Sequence, residues 1–181
     1  MDAISCLKTR RSVRRFEDKP IPRELLTEVV QLAQFAPSWK NSQTVWYYIV
    51  DDPALKHRLA EEAFTCYPKN SGNLSGAAAA VIVATIPGIC GYNEDGSPSS
   101  VLGSHWQSFD AGIATQTFCL AAHEMGLGSV IMGLYNPEKV AEIAQLPEGL
   151  QVSCLLAVGY PAEGPHGRAI RLPVADVLQF R

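Results

Sequence analysis

Charge is scarce in this sequence. Only 18% of its 181 residues are Asp, Glu, Lys or Arg, and the formal net charge is −3. Nucleic-acid phosphates demand a Lys/Arg-rich face, so no nucleic-acid partner is expected. With 47% hydrophobic residues, some apolar surface should lie in a subunit interface or a cofactor pocket. Long hydrophobic runs are missing too. The stretch from Ala77 to a little beyond Ala84 is too short to span a bilayer, so no membrane association is expected. Residues 1–8 lack the apolar core of a signal peptide, which points to a cytoplasmic protein.

Cysteine pairing is absent as a pattern. Cys6, Cys66, Cys90, Cys119 and Cys154 are odd in number and form no C-x-x-C, which argues against a disulfide framework or a zinc ribbon. His57, His105, His123 and His166 never fall three or four apart, so no helical metal site is expected. There is no G-x-S-x-G elbow, no H-E-x-x-H and no Walker loop. The spacing Gly126-Leu127-Gly128…Gly133 is not the dinucleotide fingerprint, and Gly126 reads as a helix stop. No nucleophile–base pair is in view, an absence that fits chemistry carried by a cofactor which the protein need only hold and tune.

The length suits one domain, residues 1–181, large enough for a full core. Asp2 to Thr9 reads as a short helix with Ile4 and Leu7 on one face. Pro22 opens a second helix, whose stripe is expected to be Leu25, Val29, Leu32 and Ala36. Pro37 ends it, and residues 38–44 form a polar loop. Val45 to Val50 reads as a strand, and Asp52-Pro53 as the cap of a third helix. Residues 64–76 read as loop. Ala77 to Ile86 is a strand covered on both faces, and residues 87–103 form a long loop suited to a lid. A long helix follows from Ser104 to about Met125, then a strand over 129–132, a helix from Asn136-Pro137, a buried strand over 152–159 and an irregular tail. Helices and few strands predict an α+β fold, an α/β sandwich around a small sheet.

One basic cluster stands out on this acidic chain: Arg10-Arg11-Ser12-Val13-Arg14-Arg15-Phe16. A phosphate monoester is gripped by guanidinium donors with a hydroxyl or an amide. If the segment is extended, Arg10, Ser12 and Arg14 share one side, and Arg11 and Arg15 the other. Spacing alone leaves a solvated basic turn as the more ordinary reading. Asp110, polar within an apolar helix, reads as a structural residue needing a partner. Asn41 and Gln43 read as bonding their own loop.

This segment closely resembles the R-R-S-x-R-x-F opening of nitroreductase-family flavoproteins. Pro37-Ser38-Trp39-Lys40-Asn41-Ser42-Gln43 resembles that family's P-S-x-x-N-x-Q loop. Asp110-Ala111-Gly112-Ile113-Ala114 is similar to its D-x-G-x-A run, and Gly126-Leu127-Gly128 to Gly133 resembles its G-L-G…G strand entry. Gly159-Tyr160-Pro161 with Arg171-Leu172-Pro173 is similar to its G-Y-P…R-L-P ending. The likeness runs in order from about residue 4 to about residue 173. It departs at Gln43-Thr44-Val45, where relatives often carry Q-P-W, and at Ala169, where they are often basic and Arg168 could compensate.

The resemblance implies a nitroreductase-like fold, with a small, mostly antiparallel central sheet flanked by helices, in an intertwined homodimer that binds FMN between subunits. It implies that Arg10, Ser12 and Arg14 hold the FMN phosphate and ribityl chain, with Arg171 as the second arm of the grip. Arg11 lies near the pyrimidine edge, where Asn70 is a further candidate that competes with Asn73. Pro37, Ser38 and Trp39 come from the other subunit, and the amides around Met132 and Gly133 face N5 and O4 of the ring. The implied activity is ping-pong transfer from NADH or NADPH to nitroaromatic, quinone or related small-molecule acceptors. A protein that stores or senses FMN without turnover is the alternative, and a cofactor-free interaction protein a third; colour and bleaching by nicotinamide separate them.

Overall fold

The computed structural model describes residues 2–64, 67–164, 167 and 169–181; Cys66, His166 and Arg168 lie outside the described residues. Three helices begin on side-chain caps, two of them, at Asp52 and Asn136, read in the sequence. Asp2 accepts from the Ser5 amide at the start of α1 (Ala3–Thr9). Asp52 caps α3 (Pro53–Glu62) by accepting from the Leu55 amide. Asn136 does the same for the Lys139 amide at α6 (Pro137–Ala144). In each case the side chain satisfies an amide that has no partner within the helix. Helix α2 is Arg23–Ala33 and α5 is His105–Glu124. Past α5, Gly126 takes φ 79° and stops the helix where a side chain would be strained.

Four strands, β1 (Val45–Val50), β2 (Ala79–Thr85), β3 (Gly128–Met132) and β4 (Gln151–Gly159), form one sheet in the order β1-β2-β4-β3. Every pairing is antiparallel. All seven residues of β2 are buried. Its Ala80 and Ile82 face Leu59, Leu74, Val140 and Ile143 on one side. Its Ala79, Val81 and Val83 face Leu26, Val29, Phe118 and Ala122 on the other. Helices α3, α4 (Pro68–Ser75) and α6 therefore cover one face of the sheet, and α2 and α5 the other, giving the expected α+β sandwich. No described helix is long and apolar enough to cross a membrane.

Four local expectations are corrected. Residues 64–76 are not all loop: Pro68–Ser75 is helix α4, started by Pro68 and anchored by buried Leu74. One apolar anchor is too few to show a helical period. The buried stripe of α2 is Leu26, Val29 and Ala33, one position off the expected set, which leaves Leu32 exposed and Ala36 past the helix end. In α1 the buried residue is Cys6, while Ile4 and Leu7 face outward. The tail carries a short helix, α7 (Val174–Val177).

Candidate active site

The basic segment is fastened to the open edge of the sheet. Ser12 bridges Ser129 in parallel, and the Val13 amide donates to the Ser129 carbonyl at 3.0 Å. Further on, Phe16 bridges Pro161 and the Glu17 amide donates to the Tyr160 carbonyl at 2.9 Å. Val13 is buried, which turns Ser12 and Arg14 to the opposite side of the extended segment. Arg14 Nη1 donates to the Ser12 carbonyl at 3.3 Å. Arg11 is bent back, its Nη1 donating to the carbonyls of Lys8 and Arg10, each at 2.7 Å.

Edge strand β3 supplies backbone to the same region. Because the Ser129 carbonyl faces Val13, the polar groups of Ser129 point off the sheet. Strand alternation then aims those of Met132, the last residue of β3, at β4. The Met132 side chain is buried, whereas Gly133 is exposed, and a Cβ built on it meets nothing within 4 Å. Gly133 lies four residues, about 13 Å, along this edge from Ser129. Asn70, on α4, donates through Nδ2 to the Leu134 carbonyl at 3.1 Å, which stitches α4 beside Gly133. The edge from Ser12 to Gly133 thus has cationic and hydroxyl donors at one end and an exposed glycine with open space over its α-carbon at the other.

The other predicted loop lies elsewhere. Pro37 and Ser38 line a cleft of about 290 Å³ with Val30, Ala33, Trp46 and Asp110. The Trp39 amide donates to Asp110 Oδ2 at 2.8 Å. The Trp39 ring lies 4.5 Å from that of Trp106, and its buried Nε1 finds no acceptor among the described residues. Ser38 Oγ accepts from the Gln43 amide at 3.0 Å, the loop-to-itself bonding expected of Gln43. Lys40, Asn41 and Gln43 all take positive φ, between 46° and 55°. Left-handed backbone costs about 1–2 kcal/mol per residue outside glycine, so surrounding bonds must hold this loop.

Helix α5 measures the distance between the two regions. At its C-terminal end Thr9, which precedes Arg10, touches His123 Nε2 at 2.8 Å, and Cys6 Sγ donates to the Leu120 carbonyl. Near its N-terminal end Asp110 holds Trp39. Asp110 and His123 are thirteen residues apart, about 20 Å at ~1.5 Å per residue. The Arg10 end of the basic segment and the 37–43 loop therefore lie toward opposite ends of α5, while Ile131 of β3 lines a cleft with Gln107 and Ala111, nearer the loop's end. Arg171 stands in the fully exposed tail, among exposed Ile170, Leu172, Val174, Val177, Leu178 and Phe180.

Two participants were not legible in the sequence. Burial and the nearby Arg10 guanidinium push the His123 imidazole below its usual pKa, with Glu124 opposing and Arg11 adding to the depression. Cys90 is buried against Asp110. Each meets a partner 20 or more residues away, a contact that local spacing does not encode. Among the described residues no cluster of three or more His, Cys, Asp or Glu is arranged to hold a metal.

Comparison with known proteins places this geometry. The chain is 31% identical to a Thermus thermophilus protein named NADH dehydrogenase, over 100% of this chain and 97% of that one. It is 27% identical to the Bacillus subtilis FMN reductase [NAD(P)H], over 90% of this chain and 67% of that one. The solved structure of a nitroreductase family protein from Streptococcus pneumoniae superposes with TM-score 0.85 over 99% of this chain and 100% of that one, at 22% identity. The family model described as Nitroreductase family matches residues 7–160, and the chain belongs to the nitroreductase family.

Proposed function

We propose that this protein is an FMN-dependent NAD(P)H oxidoreductase, a single FMN-binding domain working as a homodimer in the cytoplasm. Its acceptors are nitroaromatics, quinones or related small molecules. The observation that carries the reading is a pair of features: an anion-binding edge over residues 10–14, and a strained loop over 37–43 whose anchor on α5 is about 20 Å from the end of that helix that Thr9 touches. A second copy brings the two together. The exposed apolar residues of α1 and the tail are surface that such a copy would cover. The names of the Thermus and Bacillus relatives support nicotinamide as donor and FMN as the flavin. Cys6, Cys90, Cys119 and Cys154 are free and buried, in keeping with a reducing compartment.

The residues present fit FMN. Arg10, Ser12 and Arg14 offer the donors that a phosphate and a ribityl chain require, and Arg171 joins them only by the exposed tail closing over the segment. Gly133 leaves room for a flat ring where a side chain would otherwise stand. Asn70 serves the pyrimidine end by holding the Leu134 segment in place. Arg11 joins it there only by giving up the carbonyls of Lys8 and Arg10. Pro37, Ser38 and Trp39 of the second copy pack along the ring and exclude water. When bound, the flavin supplies hydride and electron transfer at its own ring. The protein contributes cations that favour electron uptake, and one ring face left open to donor and acceptor in turn.

Arg14→Glu tests the assignment. The variant should retain its far-ultraviolet circular dichroism and lose bound FMN, because a phosphate would meet a carboxylate where it needs a guanidinium. Unchanged FMN content in Arg14→Glu would remove the phosphate assignment.

A further inference from the structure

Three segments distant in sequence meet at one carboxylate. Asp110 is only 2% exposed, and its Oδ2 accepts both from the Trp39 amide at 2.8 Å and from the Cys90 thiol at 3.2 Å. The Cys90 sulfur is in turn within 3.0 Å of Thr44 Oγ1 and 3.3 Å of Ser42 Oγ. Trp39, Ser42 and Thr44 bracket the stretch in which Lys40, Asn41 and Gln43 adopt left-handed backbone. Cys90 belongs to the long connection between β2 and α5. The loop is thus clamped at both ends, on one side through its own amide and on the other through the thiol, with α5 as the rigid base.

We propose that Asp110, with Cys90 as its second arm, is the positioning residue that fixes residues 37–43 in the shape presented to the flavin site of the partner copy. This rests on the FMN reading above. Left-handed residues revert to ordinary backbone unless neighbouring bonds over-determine them. Here the loop's own bonds at Ser38 and Trp39 are tied to the rest of the fold through one buried oxygen, which takes the Trp39 amide directly and Ser42 and Thr44 by way of the Cys90 thiol. A buried carboxylate accepting from an amide also makes a stronger restraint than a neutral pair. Neither Asp110 nor Cys90 needs to touch the cofactor. They act through Trp39, whose indole N–H is left needing an acceptor.

The test compares Asp110→Ala, Asp110→Asn and Cys90→Val in the full-length protein, with two readouts. The first is the rate of tryptic cleavage after Lys40 in FMN-stripped protein, followed by mass spectrometry. The second is FMN affinity from fluorescence quenching. Asn keeps an acceptor oxygen for both donors, whereas Ala leaves the Trp39 amide unpartnered and the Cys90 thiol with only Ser42 and Thr44. Asp110→Ala should speed the Lys40 cleavage and weaken FMN binding, each about tenfold or more. Cys90→Val should lie between that variant and wild type, and Asp110→Asn within about threefold of wild type on both measures. Unchanged cleavage in Asp110→Ala overturns the clamp. Faster cleavage with unchanged FMN affinity overturns the positioning role. Failure of the wild type itself to bind FMN sinks the cofactor reading and the positioning role with it, while the cleavage rates still judge the clamp separately.

Discussion

Val13 sits directly on Gly128: a Cβ built on that glycine would lie 2.7 Å from the Val13 Cβ. Gly128 pairs across the sheet with Gly159, where a Cβ would meet the Phe16 ring at 2.8 Å. The two glycines form a notch at the sheet edge, and Val13 and Phe16 drop into it on either side of Arg14. Side-chain absence in one part of the chain thereby sets the backbone path of the basic segment in another.

Gly128→Ala should therefore cost about 1–3 kcal/mol, the usual penalty of overpacking a filled site. In a domain of this size, that lowers the melting temperature by roughly 2–4 °C for each kcal/mol. Adding Val13→Ala should recover part of the loss, because the two changes share one contact. Calorimetry on the single and double variants decides it; purely additive losses would mean that the notch does not seat Val13.

The proposed division of the site between two copies predicts complementation. Arg14→Glu and Ser38→Arg homodimers should each hold little FMN. Refolded together, they should pair statistically, so that half the dimers are mixed and each mixed dimer carries one intact site. About a quarter of all sites should then regain FMN. No recovery, with mixed dimers demonstrated by mass, would place both halves of the site in one protomer.

His123 should make stability depend on pH. Its folded pKa is depressed below 6.5 by burial and by Arg10, with Glu124 opposing and Arg11 adding to the depression. The stability it contributes is full above pH 6.5 and is lost as pH falls through the lower folded value, because the unfolded chain takes up the proton first. His123→Gln should flatten the part of the stability curve between pH 7 and 5, read by chemical denaturation. Parallel curves for the two proteins would show that the imidazole is not held neutral.

Much of this architecture is written locally. Asp52-Pro53 and Asn136-Pro137 announce their helices because cap and first-turn proline are adjacent in sequence, and Gly126 announces a stop for the same reason. Buried β2 is legible as an uncharged apolar run. The basic segment could be read as extended, yet what fastens it, Val13 on Gly128 and Phe16 on Gly159, depends on contacts more than 100 residues apart. The α2 stripe was off by one position because Leu25 and Leu26 are adjacent leucines and only packing chooses between them. Helix α4 escaped because Leu74 alone carries its apolar face. Asp110 could be recognised as needing a partner, but neither the Trp39 amide nor the Cys90 thiol could be named without the fold.

The most direct test of the account is the visible spectrum of the purified protein, recorded anaerobically before and after addition of NADPH or NADH. The account predicts a yellow protein whose flavin absorbance bleaches with the nicotinamide and returns when a quinone or nitroaromatic is added. A colourless protein that takes up no added FMN would contradict it.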